Sequence, residues 1–363
     1  MSKHIVFIFR NMGTGGAQKI EAFVANTLSN NGYKVTVLNM AKEKCSVDIN
    51  KKIPIYNLFY DEVENENNRV KKQIKKFFYL IKFRQMIKQL KPDLVCAFLS
   101  DIVRLTVISM RGIKIPIIGS ERGDPYQFSP KKLKQYNKAY NQCAGVAFQL
   151  KNAKSAYCLK KDIKTAIIEN PCIPREGVFP VRNNSEHIII SAGRLSRQKR
   201  FDILIDAFSI VHKSYPEYML VIYGDGPLKN ELKKQIKQNN LEKSVILEGN
   251  VSDVFQEASS AEFFVLSSDF EGIPNVLMEA MAIGFPCIST DCSPGGANKL
   301  LDGGKRGILV PKGNYFKLAE AMIQFIENPD IQEAYSNKSK EIIKEYAPEQ
   351  IEKKWLNFFK QFI

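Results

Sequence analysis

The chain has 363 residues, 44% hydrophobic and 25% charged, a composition that suits a globular protein with two domains, each with its own core. No run of about 18 apolar residues occurs, so no membrane-spanning helix is expected. Seven cysteines (Cys45, Cys96, Cys143, Cys158, Cys172, Cys287, Cys292) lack pair or metal spacing and point to reduced cytosolic thiols.

The first apolar run, IVFIF, is too short for the core of a signal peptide and leads into glycines, as a first strand does. HIVFIF, KVTVLNM, DLVCAFL, IPIIGS and GVAFQL read as buried strands with helical segments between them. NPCIPREGVFP is proline-rich and aperiodic, which marks a linker. The alternation restarts with HIIISAG, MLVIYGDG, VILEG, AEFFVLS, FPCIST and GILVP. Repeated βα units imply right-handed crossovers and parallel sheets. The expectation is an α/β protein of two Rossmann-like domains facing a cleft, residues 1–170 and 187–345, joined by a linker at 171–186. The last segment, 348–363, reads as a helix with Trp355, Phe358 and Phe359 on one face, crossing back to the first domain.

Charge divides with the domains. Residues 1–180 carry 31 Lys plus Arg against 14 Asp plus Glu, and residues 181–363 carry 22 against 24. A polyanionic partner is therefore expected at the first half.

Three segments carry candidate chemistry. In DFEGIPNVLMEAMAIGFP, Glu271 follows a strand, Gly272 and Pro274 shape a turn, and a helix starts near Asn275. Ligands of open α/β sheets bind at the carboxyl ends of strands, and the free N–H groups of a helix start suit a phosphate. Glu279, one turn into that helix, is placed to accept hydrogen bonds from a ribose diol, although two glutamates near a helix start are commonly dipole-compensating residues. In SAGRLSRQKRFDILIDAF, Arg194 and Lys199 project from the loop after a strand, where fixed cations neutralise a diphosphate. A solvated basic turn accounts for Arg197 and Arg200. The loop Gly13-Thr14-Gly15-Gly16 follows the first strand, but Lys19 stands where a dinucleotide-binding fingerprint needs its third glycine. No acidic residue ends the second strand to hold a ribose, which disfavours a nicotinamide oxidoreductase.

Arg194, Lys199, YGDGP (Tyr223 to Pro227), and Glu271 with Glu279 together resemble the retaining GT-B glycosyltransferases of family 4, strongly over residues 188–311 and in organisation over the whole chain. The resemblance implies transfer of a hexose or N-acetylhexosamine from a UDP-sugar. Arg194 and Lys199 would hold the donor diphosphate, Glu279 the ribose, and Glu271 the sugar near its C3 and C4 hydroxyls. Backbone of Gly272, Ile273, Pro274 and Asn275 would meet phosphate and sugar, backbone near Asn250 and Val251 the base, and Gly15 and Gly16 the phosphate. Many relatives place a histidine beside the donor sugar at GSERGDPY; here Arg122 takes that place, with Glu121 and Asp124 as alternatives and loop capping an equal reading for each. No D-x-D motif occurs, so no cofactor or metal is implied.

Segment 69–91 has nine basic residues and no acidic one. Val70, Ile74, Phe77 and Ile81 share a helical face, with Lys71, Lys72 and Lys75 roughly opposite, and the later stripe Leu80, Phe83, Ile87 and Leu90 is rotated away. This predicts a helix packed on two partners. Lys71, Lys72, Lys75 and Lys76 suit anionic headgroups or a pyrophosphate. The placement resembles bacterial family members that extend oligosaccharides on undecaprenyl pyrophosphate, which implies a lipid-linked acceptor and a cytoplasmic, peripheral position on the inner face of the membrane. The alternatives are a soluble or other lipid acceptor, and a basic membrane- or nucleic-acid-binding protein without catalysis. No nucleic-acid-reading module is present, so nucleic acid is not an expected partner.

Overall fold

The computed structural model describes residues 2–13, 15–41, 46–173 and 186–363. The chain forms two compact units, Met1–Asn170 with Glu349–Ile363, and Pro171–Pro348. Cys45, Thr14 and most of the proline-rich segment after Asn170 lie outside the described residues.

The first unit holds a seven-stranded parallel sheet. Its strands are β1 (His4–Phe9), β2 (Lys34–Asn39), β3 (Ile55–Asn57), β4 (Leu94–Phe98), β5 (Ile117–Glu121), β6 (Gly145–Phe148) and β7 (Lys164–Ile167). They run in the order β3-β2-β1-β4-β5-β6-β7. Helices cover both faces, so β1, β4 and β6 are buried throughout and read as continuous apolar runs. The helix Pro348–Phe359 belongs to this unit. Its Ile351, Trp355, Phe358 and Phe359 enter the core beside Phe7 and Phe98, with Trp355 5.6 Å from Phe98 between ring centroids.

The second unit has a six-stranded parallel sheet: β8 (Ile188–Ala192), β9 (Met219–Tyr223), β10 (Val245–Gly249), β11 (Phe263–Leu266), β12 (Cys287–Thr290) and β13 (Ile308–Val310), in the order β10-β9-β8-β11-β12-β13. In each unit the strand order reverses beside the first strand, between β1 and β4 and between β8 and β11. Such switch points open a crevice beyond the carboxyl ends of the strands. The first-unit crevice therefore receives the loops after β1 and β4, and the second-unit crevice those after β8 and β11.

The helix Arg69–Leu90 corrects the expectation of two packed faces. Its core face is Tyr79, Phe83 and Ile87, whereas Val70, Ile74, Phe77 and Ile81 are exposed. Tyr79 lies 4.5 Å from Tyr60 and 6.2 Å from Phe83, ring to ring, so aromatic packing selects this face over the earlier aliphatic stripe. No helix among the described residues is long and apolar enough to cross a membrane.

Candidate active site

The loops after β8 and β11 are knitted together. Asp269 N–H donates to the Gln198 carbonyl at 3.0 Å, Gln198 Nε2 to the Phe270 carbonyl at 2.9 Å, and Ser267 Oγ to the Lys199 carbonyl at 2.7 Å. Arg200 ties the same loops from behind, through paired contacts to Asp202 and a 2.9 Å contact to Asp269. This is more than the solvated turn expected of Arg200. The result is a fixed position for Lys199, whose Nζ lies 2.6 Å from Glu271 Oε1. Ser268, fully buried, donates its hydroxyl to the same carboxylate oxygen at 2.9 Å. Lys199 and Glu271, expected to act on different parts of a ligand, are thus partners in a mostly enclosed ion pair.

Arg194 is exposed, and no hydrogen bond or ion pair engages its side chain among the described residues. Its backbone is held by the YGDGP turn. Gly193 N–H donates to the Tyr223 carbonyl at 2.9 Å and Leu195 N–H to the Asp225 carbonyl at 3.0 Å. A Cβ at Gly224 would run into the Gly193 carbonyl, which explains the glycine there. Glu271 N–H donates to Ser293 at 2.8 Å, and the backbone turns through Gly272, Ile273 and Pro274 into the helix Asn275–Ile283. A Cβ at Gly296 would strike the Gly272 carbonyl, so Gly296 lets a second short helix close against this turn. Glu279 is half-buried on the first helical turns, near enough to Cys172 for its charge to push that thiol up, second to burial. Val251 is half-buried just beyond β10.

In the first unit, Gly15 and Gly16 are exposed at the carboxyl end of β1, and Gly15 caps the helix Gly16–Asn30, whose first turn has no acidic residue. Lys72 Nζ donates to the Glu64 carbonyl at 2.9 Å and Lys75 pairs with Glu66 at 2.9 Å. Lys71 and Lys76 have no such partner among the described residues.

Arg122 departs from its expected place beside a sugar. Its guanidinium is buried between the rings of Phe98 (5.9 Å) and Trp355 (5.8 Å) and donates to the Ile168 carbonyl (2.9 Å) and to Asn170. Burial pushes it below the ordinary arginine range, while Glu169, Glu121 and Glu21 oppose the shift. It ties the C-terminal helix to the sheet. The alternatives in that segment are also engaged. Glu121 accepts from Tyr157 (2.5 Å), Tyr140 (3.2 Å) and Ser100, and Asp124 caps the turn at Tyr126 and Gln127. Sequence reasoning missed Ser268, because a lone serine carries no signal without the carboxylate it touches. It also missed Glu21, which is buried with one oxygen unpaired and whose carboxyl burial holds well above the usual range.

Two parallel-sheet, Rossmann-like units make up the GT-B fold. Residues 178–342 match the family model "Glycosyl transferases group 1" and residues 17–156 match "Glycosyl transferase 4-like". The chain is thus built of a 4-like and a group 1 glycosyltransferase domain. It is 27% identical over 362 residues to an uncharacterized glycosyltransferase of Haemophilus influenzae, covering 97% of this chain and 99% of the relative. It is also 27% identical over 358 residues to the N-acetylgalactosamine-N,N'-diacetylbacillosaminyl-diphospho-undecaprenol 4-alpha-N-acetylgalactosaminyltransferase of Campylobacter jejuni, covering 94% of each. Among solved structures, Anabaena HepE in complex with UDP and glucose superposes with a TM-score of 0.81 at 18% identity, covering 99% of this chain and 100% of that one.

Proposed function

We propose that this chain transfers a hexosyl or N-acetylhexosaminyl group from a UDP-sugar, with retention of configuration, to a growing oligosaccharide on undecaprenyl pyrophosphate at the inner face of the cell membrane. The observation that carries the reading is the Lys199–Glu271–Ser268 cluster at the ends of β8 and β11, one turn ahead of the Asn275–Ile283 helix. Arg194 and Lys199 bind the donor diphosphate and stabilise it as it leaves, which is electrostatic catalysis. The N–H groups at the start of the Asn275 helix add to that field. Glu279 accepts from the ribose hydroxyls and Glu271 from the sugar. Gly15 and Gly16 offer a second set of N–H groups to a phosphate, and the backbone at Val251 meets the base. The departing phosphate oxygen takes the acceptor's proton on the face it leaves, so no separate base is required. The positive charge comes from Arg194 and Lys199, without a metal.

The acceptor reading draws on the Campylobacter relative, whose name describes a diphospho-undecaprenol substrate, and on the acid-free basic helix at 69–91, with Lys71, Lys72, Lys75 and Lys76 toward anionic headgroups. The test is transfer from a panel of radiolabelled UDP-sugars to undecaprenyl-pyrophosphate-linked oligosaccharides in detergent, with the anomeric configuration of the product read by NMR. Labelled lipid-linked product with the donor's configuration is expected. Hydrolysis alone, or an inverted product, would refute it.

A further inference from the structure

The helix Arg69–Leu90 faces the core through Tyr79, Phe83 and Ile87. At about 100° per residue, Val70, Ile74, Phe77, Phe78 and Ile81 centre on the opposite direction, toward solvent. They are 69, 51, 61, 63 and 36% exposed, five of the twelve large apolar side chains exposed among the described residues. Concentration on three turns of one helix separates this ridge from the scattered exposure that any surface shows. Phe77 and Phe78 pack edge to face at 5.9 Å, which keeps both rings on the outward side. Beyond Ile81 the same direction is taken by Arg84, Gln85 and Lys88. The ridge is therefore about 17 Å long and ends in charge, a geometry for lying in an interface rather than crossing one.

Charge decides what covers it. The segment has nine basic residues and no acidic one, so a second copy would bring two strongly positive surfaces together. Lys71 and Lys82 flank the ridge on one side. An anionic bilayer satisfies both features, with phosphates for the lysines and acyl chains for the ridge. We propose that the first three turns of this helix insert Val70, Ile74, Phe77, Phe78 and Ile81 into the acyl boundary of an anionic membrane, with Lys71 and Lys82 at headgroup level. This rests on the membrane-bound acceptor read above and adds that attachment is apolar as well as electrostatic.

The chain has one tryptophan, Trp355, which is fully buried, so a tryptophan replacing Phe77 reports on its own surroundings. Phe77→Trp protein is mixed with vesicles of equal phosphatidylglycerol and phosphatidylcholine, with and without brominated acyl chains. A blue shift and about twofold quenching by brominated lipid are expected, with no quenching of wild type. Val70→Asp, Ile74→Asp and Phe77→Asp together should lower vesicle affinity about tenfold or more, even in high salt, with the melting temperature unchanged. Vesicle-bound Phe77→Trp protein that is not quenched overturns insertion, as does failure of the wild type to bind these vesicles. A wild-type dimer converted to monomer by the triple change overturns it in favour of contact between copies. Turnover on lipid-linked acceptor, assayed separately in detergent, distinguishes the two ideas: product without quenching removes insertion alone, and quenching without product removes the acceptor reading alone.

Discussion

Replacing Glu271 by Gln should separate its pairing with Lys199 from the sugar contact proposed for it. Glu271 holds Lys199 at 2.6 Å, with both side chains largely enclosed, Lys199 at 15% and Glu271 at 12% exposure. A diphosphate that takes Lys199 must loosen this contact. A hydrogen bond between charged groups contributes about 1.5–3 kcal/mol net. If about half of that opposes binding, removing the carboxylate charge tightens free UDP by about 1.4 kcal/mol, or tenfold. The sugar loses its partner in the same variant, so transfer should fall by about 100-fold or more. Ser268 can still donate to the amide oxygen, so Gln is expected to keep its place. Glu279→Gln should do the opposite to free UDP and weaken it, since the proposed ribose contact does not depend on a sugar. Calorimetric titration of both variants with UDP, beside initial rates with the UDP-sugar, provides the comparison. The reasoning is refuted if the two variants weaken free UDP equally.

Arg194→Ala and Lys199→Ala should each lower turnover by about 100-fold or more. Arg194→Ala should leave the thermal midpoint unchanged, because its side chain is exposed; differential scanning fluorimetry beside initial rates checks both. Turnover should persist in EDTA, and a complete loss restored by magnesium would contradict charge supply by Arg194 and Lys199. Changing Lys71, Lys72, Lys75 and Lys76 together to Gln should weaken binding to anionic vesicles without altering donor affinity, each free lysine contributing about 1 kcal/mol. Lys71 and Lys76 should account for most of this, because Lys72 and Lys75 already have partners. Glu21 supplies a pH test. Its raised native pKa means that its contribution to stability is fully present below about 4.5 and is lost as pH rises toward the native value. Glu21→Gln should match wild type near that acidic limit and be the more stable protein in alkaline buffer, the gap widening with pH in thermal melts; parallel curves across that range would contradict it.

The central strands were legible because burial on both faces makes them continuous runs of β-branched and aromatic residues, as in HIVFIF and AEFFVLS. β3 and β7 were missed. Each is a short edge strand, β3 exposed throughout and β7 half-covered at most, so neither needs an apolar sequence. The helix at 69–91 offers two apolar stripes, and periodicity cannot choose between them. Tyr60, distant from Phe83 in sequence, makes the choice through Tyr79. Arg122 was misplaced for a related reason. It was read from its position in a local motif, whereas its surroundings come from Phe98, Asn170 and Trp355. The Arg194, Lys199 and Glu271 loops were legible as loops at strand ends. Their contact with each other was not, because the reversal of strand order that brings β8 beside β11 is a property of the sheet.

The contact between Lys199 and Glu271 has a physical logic. A charge enclosed without a partner would destabilise the loop that carries it. Glu271 offsets that cost by pairing with Lys199, and Ser268 satisfies the same carboxylate from the buried side. On the proposed reading, an arriving diphosphate would exchange one anion for another at Nζ and leave the lysine in place. The released carboxylate would still have Ser268 as a donor and acceptor capacity for sugar hydroxyls. Loss of Ser268 should therefore leave the ion pair intact and loosen Glu271 only when donor is bound. Ser268→Ala should raise KM for the UDP-sugar while affinity for free UDP stays near that of wild type. Equal weakening of UDP and UDP-sugar by that change would show that Ser268 shapes the loop as a whole rather than the carboxylate.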